Sequence, residues 1–315
     1  MAGQPLLTVI SPAYNEADNL PALYERLKAT FDSAGIEWEW IVVDDHSSDA
    51  TPQYLRQLVG QDVRVSAVRF SRNFGSHAAI ACGLHRAHGA CAAVLAADLQ
   101  DPPEVVLRLL EEWRAGAHVV WAVRAGRRGE RASTLLFARL YYALMRNMVG
   151  IREMPAEGAD FFLLDRRVVD ALGAFPESNA SLLALITWMG YRQASVEYVK
   201  QARLYGRSKW NLEKKLKLAI DSITSFSYLP IRLMSYVGFL AAVLGFAYAA
   251  VVIVNVIAGR PIEGWSSLMV VVLMMSGVQM LMLGVLGEYL WRALDESRRR
   301  PPYLVEEFLS AAGKE

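Results

Sequence analysis

Apolar positions along this chain follow two different rhythms. Through roughly the first two-thirds, short apolar runs alternate with stretches whose apolar residues recur every three or four positions. Leu7–Ser11 is a short apolar run closed by Pro12. Asp18–Ser33 follows, with Leu20, Leu23, Leu27 and Phe31 on one helical face. Trp40–Val43 reads as a second strand running into Asp44 and Asp45, and Thr51–Val59 as a helix. Val63–Phe70 reads as a strand, Ser76–His88 as a helix, and Cys91–Ala97 as a buried strand ending at Asp98. Pro103–Arg114 and Val119–Val123 add one more helix and strand. Strands alternating with helices predict an α/β domain with a mostly parallel sheet. Such sheets bind ligands beyond the carboxyl ends of their strands. Tyr14, Asn15, Glu16, Asp44, Asp45 and Asp98 all fall at those ends.

The second rhythm is continuous apolarity. Leu233–Ala258 and Trp265–Gly287 contain no charged residue. As helices they would run about 39 Å and about 35 Å, against a hydrocarbon core of about 30 Å. Two buried core helices are the plain alternative, but tandem runs of this length predict a transmembrane hairpin joined by the turn Gly259–Gly264. Lys and Arg flank it on the outside: Arg207, Lys209, Lys214, Lys215, Lys217 and Arg232 before, and Arg292, Arg298, Arg299 and Arg300 after. The turn has Arg260 alone. By the positive-inside rule both flanks are cytoplasmic, giving a multi-pass inner-membrane protein with its soluble domain and both termini in the cytoplasm. The N-terminus shows no basic stretch followed by an apolar one, so no secretory signal is expected. Between the two regimes, Asn211–Leu229 carries Leu212, Leu216, Ala219, Ile220, Ile223 and Phe226 at helical spacing, with Lys214 and Lys217 elsewhere on the wheel. Such a helix either packs on the soluble domain or lies in the membrane interface, its lysines toward anionic headgroups. Its position before a span favours the interface.

Composition narrows the function. The 315 residues suit about two domains. With 33 Lys and Arg against 32 Asp and Glu, the formal charge is +1, and no nucleic-acid partner is expected. Cys82 and Cys91 are too few for a disulfide framework or a four-cysteine zinc site. No G-x-G-x-x-G follows the first strand, and no P-loop or H-E-x-x-H occurs. The chemistry concentrates in Asp98-Leu99-Gln100-Asp101-Pro102-Pro103. A strand-end aspartate followed by an amide and two prolines makes a rigid acidic corner. Mg²⁺ is commonly held by one or two carboxylates together with substrate phosphates, which suits Asp98 with Gln100. Asp101 reads instead as the N-cap of the following helix.

Ser11-Pro12-Ala13-Tyr14-Asn15-Glu16, Asp44-Asp45-His46-Ser47-Ser48-Asp49-Ala50-Thr51 and the acidic corner together resemble the family 2 glycosyltransferases of the GT-A fold, a Rossmann-like sheet. Arg203-Leu204-Tyr205-Gly206-Arg207-Ser208-Lys209-Trp210, the amphipathic helix, the two spans and Gly287-Glu288-Tyr289-Leu290 narrow the resemblance to the polyprenyl-phosphate glycosyltransferases. It covers about residues 6–305. It implies a division into a catalytic domain (1–205), a juxtamembrane loop and interfacial helix (206–232), two transmembrane helices (233–291) and a C-terminal tail (292–315). The implied enzyme is a metal-dependent hexosyltransferase. It would move a sugar from a nucleotide-diphosphate sugar to a polyprenyl (undecaprenyl or dolichyl) phosphate with inversion, for cell-envelope glycosylation, and would work as a homo-oligomer such as a tetramer.

Site roles follow from the same resemblance. Pro12, Tyr14, Glu16 and Asp45, with Asp44, match nucleotide-sugar-binding positions, and Arg124 matches a donor-binding arginine. Asp98 and Gln100 match the positions that hold Mg²⁺ or Mn²⁺ and the diphosphate. Asp160 matches an acidic residue beside the acceptor, and Asp98 and Asp160 are the catalytic candidates. Arg203, Ser208 and Lys209 match a phosphate-facing acceptor loop. Two departures stand out: Ala96 occupies the first position of the family's D-x-D, and Phe162 stands where many relatives have arginine. Ala96 motivates the alternative of a membrane scaffold or pseudoenzyme on the same fold. A processive polysaccharide synthase would share the fold too, but its usual Q-x-x-R-W and extra spans are absent.

Overall fold

The apolar run Leu7–Ala13 forms β1, the central strand of the sheet in a computed structural model that describes residues 5–125, 161–175, 182–201, 229–258, 264–298, 300–310 and 313–314. β1 is flanked by β2 (Trp38–Asp44) and by β4 (Cys91–Val94), both parallel to it. β2 in turn pairs in parallel with β3 (Val65–Phe70). The connecting helices are α1 (Leu20–Ser33), α2 (Thr51–Gln61) and α3 (Ser76–Arg86). α1 buries Leu20, Leu23, Leu27 and Phe31 on the sheet, the stripe its spacing predicts. Trp40 of β2 is fully buried, stacks on Tyr24 of α1 and donates its indole N–H to Ser11 Oγ at 3.0 Å. The mostly parallel α/β fold is as expected.

Beyond β4 the sheet becomes mixed. α4 (Val105–Arg114) leads to β5 (Val119–Arg124), but the strand between β4 and β5 is β6 (Phe162–Asp165), antiparallel to both. α5 (Arg166–Gly173) and α6 (Leu182–Trp188) precede β7 (Gln193–Tyr198), which runs parallel to β5. On the other edge, β8 (Val305–Ser310) pairs antiparallel with β3 and carries the short β9 (Gly313–Lys314). The order across the sheet is β7-β5-β6-β4-β1-β2-β3-β8-β9. Residues 301–315 therefore belong to the same compact unit as residues 1–219. The chain leaves this unit, forms the second one, and comes back as an edge strand.

Two glycines mark where the backbone is closest. A Cβ on Gly83 of α3 would run into the Ile10 side chain. On Gly89, before β4, it would meet backbone on two sides: the Leu7–Thr8 peptide, with Thr8 N at 2.6 Å and Leu7 C at 2.9 Å, and Cys91 O at 2.7 Å. Backbone cannot swing aside as a side chain does. Gly89→Ala is therefore expected to destabilise the domain by about 1–3 kcal/mol, the usual range for overpacking. The check is the unfolding midpoint of the purified variant. An unchanged midpoint would show that the strands yield there.

The second unit, residues 220–300, contains α7 (Leu229–Ile257) and α8 (Trp265–Ser297). Their side chains are apolar yet exposed, with Phe239, Leu244, Phe246 and Met280 each at least 62% accessible. A core helix of a soluble protein would bury such residues, so this exposure favours lipid-facing spans over buried helices. α7 and α8 touch where Gly238 leaves room for Met282. Asn255 returns its amide N–H to Val251 O at 3.0 Å, so this polar group is satisfied within its own helix. α8 outruns its apolar stretch, and its last turns carry a Glu288–Arg292 ion pair at 3.0 Å. The expected turn at 259–264 and interfacial helix at 211–229 lie almost wholly outside the described residues.

Candidate active site at the carboxyl ends of the strands

Parallel strands deliver their carboxyl ends to one edge of the sheet, and the predicted polar residues gather there. Two loops dominate, one after β1 and one after β2, and they are laced together. Asn15 N donates to Ser47 Oγ at 2.8 Å, Glu16 N to Thr51 Oγ1 at 3.0 Å, and Ala17 N to Asp49 Oδ2 at 3.2 Å. In return Ser48 N donates to Asn15 Oδ1 at 2.8 Å. This explains the run of Ser, Asp and Thr after Asp45: short side-chain acceptors replace the sheet ladder where the strands stop. Asn15 and His46 hold positive φ values of 55° and 62° in these loops. Pro12, Tyr14 and Glu16 are half-buried along the β1 loop.

The two aspartates of the β2 loop hold backbone in place. Asp44 is 1% exposed, accepting from Ser47 N at 2.8 Å and from Arg69 Nη1 at 2.6 Å. Asp45 accepts from Phe74 N at 2.6 Å and Gly75 N at 2.9 Å, fixing the loop that leads into α3. Burial pushes the Asp45 pKa up, and the adjacent Asp44 carboxylate adds to this, against the two backbone donors. Gly75, at φ +96°, supplies the turn.

The acidic corner follows β4. Asp98 is 7% exposed and accepts from Gln100 N at 3.1 Å. Leu99 between them sits at φ +60°, a left-handed conformation unusual for a bulky residue. Strain of this kind concentrates at functional sites. Asp101 departs from its sequence reading. The N-cap position of α4 is Glu104, without a side-chain cap bond. Asp101 is instead buried and accepts from Tyr198 Oη at 2.6 Å, with Lys200 Nζ at 3.8 Å. Tyr198 ends β7, so this pair clamps the corner to that strand. Gln201 N donates to Gln100 O at 2.9 Å and doubles the clamp. Burial pushes the Tyr198 phenol well up and the Asp101 carboxylate adds to it, while Arg124 at the end of β5 pulls the other way.

The structure thus brings Asp98, Gln100 and Arg124 to one corner, beside the loops bearing Pro12, Tyr14, Glu16, Asp44 and Asp45. Phe162 is fully buried in β6 and packs edge-on against Trp121 at 5.5 Å, a core position. Asp160, Arg203, Ser208 and Lys209 lie outside the described residues. Sequence reasoning misses Arg69, Tyr198 and Lys200. Arg69 carries one usable signal, a charge inside an otherwise apolar strand next to an acidic strand end.

The donor set fits a divalent cation shared with a substrate. Among the described residues no three His, Cys, Asp or Glu side chains converge into a cage. One buried carboxylate with a neighbouring amide suits a hard cation that takes its remaining oxygens from water and phosphate.

Residues 8–173 match the family model "Glycosyl transferase family 2" and residues 229–292 match "GtrB C-terminal hairpin". An uncharacterized glycosyltransferase of Bacillus subtilis, YkcC, is 40% identical across 95% of this chain and 93% of its own length. The bactoprenol glucosyl transferase of Shigella phage SfV is 35% identical across 95% and 98%. Glucosyl-3-phosphoglycerate synthase from Mycobacterium tuberculosis shares the fold, with a TM-score of 0.50 and 18% identity over 71% of this chain and 79% of that one. A strand-end site laced by the Asp44–Thr51 loop, an acidic corner at Asp98, and two apolar helices matching the hairpin model all occur in one chain, which belongs to glycosyl transferase family 2.

Proposed function

We propose that this glycosyltransferase moves a hexosyl unit from a nucleoside-diphosphate sugar to a polyprenyl phosphate at the membrane surface, inverting the anomeric centre. The observation that carries the reading is the union, in one chain, of a family 2 domain with a stretch matching the GtrB C-terminal hairpin model, alongside 35% identity to a bactoprenol glucosyl transferase over nearly the whole chain. A lipid acceptor cannot leave the bilayer cheaply, so the catalytic domain must be held at the surface. The spans supply that anchor.

The chemistry needs little proton transfer. A phosphomonoester has its second pKa at about 6, so the acceptor is mostly dianionic at neutral pH. Its oxygen attacks the anomeric carbon, the bond to the donor diphosphate breaks, and the nucleoside diphosphate leaves with the electron pair. Asp160 then serves to position the acceptor. Pro12, Tyr14, Glu16 and Asp45 line the base and ribose subsite, with Asp44 shaping its loop. Arg124 offers charge to the departing diphosphate, and Arg203, Ser208 and Lys209 face the acceptor phosphate. Asp98 and Gln100 would hold a bound Mg²⁺ or Mn²⁺, which supplies charge stabilisation to the leaving group. Purified protein incubated with undecaprenyl phosphate, either metal and a panel of nucleotide sugars tests the reading. One sugar should appear on the lipid; no transfer from any donor would overturn it.

The same reading includes a cytoplasmic catalytic domain and C-terminus. Its supports are the basic flanks, the nearly neutral turn, and the pairing of β8 with β3 in the unit that contains the acidic corner. A chain that leaves and rejoins one folded unit crosses a bilayer an even number of times. Both native cysteines are buried, so added ones can be read cleanly. In sealed cells Pro261→Cys is expected to label from outside and Ser310→Cys only after permeabilisation. The reverse pattern would invert the topology.

A further inference from the structure

β8 lies between β3 and the short β9, and its contacts also reach the laced loops. Its ladder with β3 runs Ala67 to Leu309, Val68 to Phe308 and Arg69 to Glu307, and then Phe70 pairs with Val305. Glu306 is the extra residue of this bulge. Bulges re-aim the side chain they release. Here the Glu306 carboxylate accepts from Arg69 Nε at 3.0 Å and lies 3.8 Å from His46 Nδ1.

Arg69 joins this bulge to the β2 loop. With Nε on Glu306, its Nη1 donates to the buried Asp44 at 2.6 Å and its Nη2 to Ser47 O at 3.2 Å. A guanidinium is planar and fixed in shape, so holding one nitrogen orients the other two. Ser47 in turn receives Asn15 N on its hydroxyl. His46 also has its ring Nδ1 3.0 Å from Phe70 O, beside the bulge. The bulge that re-aims Glu306 thus sits against both ends of the turn at 44–47. The rest of β8 is also held by an Arg56–Glu307 pair at 2.8 Å, although Arg56 lies within electrostatic reach of Glu306 and Asp44 too, and by Arg86 over the Phe308 ring at 5.5 Å.

We propose that Glu306 is a positioning residue for the donor site, acting through Arg69 on the loop at 44–51. The strand that returns from the membrane hairpin thereby sets the geometry of the nucleotide-binding turn. This rests on reading that loop as part of the donor subsite. Glu306 is half-exposed, so its removal leaves the core intact. The effect belongs in donor affinity, because among the described residues its ion pairs run to Arg69 and His46, beside the β2 loop.

The test uses full-length protein in detergent, wild type against Glu306→Gln, Glu306→Ala and Glu306→Asp, with Arg86→Gln, which touches β8 through Phe308, as control. Ligand-free hydrogen exchange is read at residues 45–51, and UDP and GDP binding is measured by calorimetry with Mn²⁺. Glu306→Gln and Glu306→Ala should speed exchange in the loop and weaken binding of the preferred nucleotide by about 2–5-fold, the range of a single solvated ion pair. The maximal transfer rate at saturating donor should stay within about 2-fold, and Glu306→Asp should recover part of the affinity. Unchanged exchange in both variants overturns the inference, whatever the nucleotides do. An equal response in Arg86→Gln also overturns it, because any loosening of β8 would then suffice. If exchange responds while wild type binds neither nucleotide, the coupling of strand to loop stands and the donor reading falls.

Discussion

Asp98→Asn is expected to lower sugar transfer by at least about 100-fold, the scale on which removing one preorganised electrostatic contact to a transition state acts. The substitution keeps the shape of the side chain. An amide oxygen can still accept from Gln100 N, the bond the carboxylate makes at 3.1 Å, so the loop should hold its conformation. What is lost is the charge and one acceptor oxygen. With Ala96 in place of a second carboxylate, the D-x-D position two residues before Asp98 cannot replace that charge. Single-turnover transfer across a Mn²⁺ series is the measurement, with the unfolding midpoint as control. Wild-type turnover would reduce the acidic corner to scaffolding. Asp101→Asn should differ in kind. It touches a buried carboxylate that accepts from Tyr198 and faces Lys200. Its first effect should be a lower unfolding midpoint, with activity following as the corner loses its clamp to β7.

Arg203→Ala is expected to reduce transfer to polyprenyl phosphate by about 10–150-fold, since hydrogen bonds to charged groups contribute about 1.5–3 kcal/mol. Arg203 stands shortly before the amphipathic stretch and the spans. A phosphate tethered to lipid would reach the protein at that level. Arginine can offer such a phosphate two parallel bonds, where lysine offers a point charge, so Arg203→Lys should recover only part of the loss. Nucleotide-sugar binding without lipid separates two roles. Unchanged donor affinity in Arg203→Ala supports the acceptor side. A matching fall would move this arginine to the donor diphosphate. Full activity would leave it a solvated charge.

Local information is enough for much of this molecule. Leu20, Leu23, Leu27 and Phe31 announce α1 because a helix buries residues three and four apart, and the structure buries all four. The strand-end positions of Asp44 and Asp45 follow from where an apolar run stops, whereas β4 ends at Val94 and Asp98 stands four residues further on, in a turn. What sequence reading loses is pairing at long range. β6 inserts antiparallel between β4 and β5, and no local pattern reveals which neighbours a short apolar strand will choose. β8, Val-Glu-Glu-Phe-Leu-Ser, carries two adjacent charges and lacks clean alternation, because it lies toward an edge and one residue is a bulge. Asp101 reads as a cap because capping is decided within four residues. Its real partner, Tyr198, is 97 positions away. Arg69 and Asp44 are side by side in the β2–β3 register, 25 positions apart in the chain.

The late return of β8 has a consequence for biogenesis. β3 is complete early in synthesis, yet among the described residues its outer edge is covered by residues 305–310, which emerge after both apolar helices. Until then a row of unsatisfied backbone N–H and C=O groups is left open to solvent, the kind of edge that recruits other chains. The nascent sheet must therefore wait, open on one side, while both apolar helices are made. A ribosome stalled after the second helix, or a nonsense codon before Val305, would release a protein with both helices but an adhesive seam.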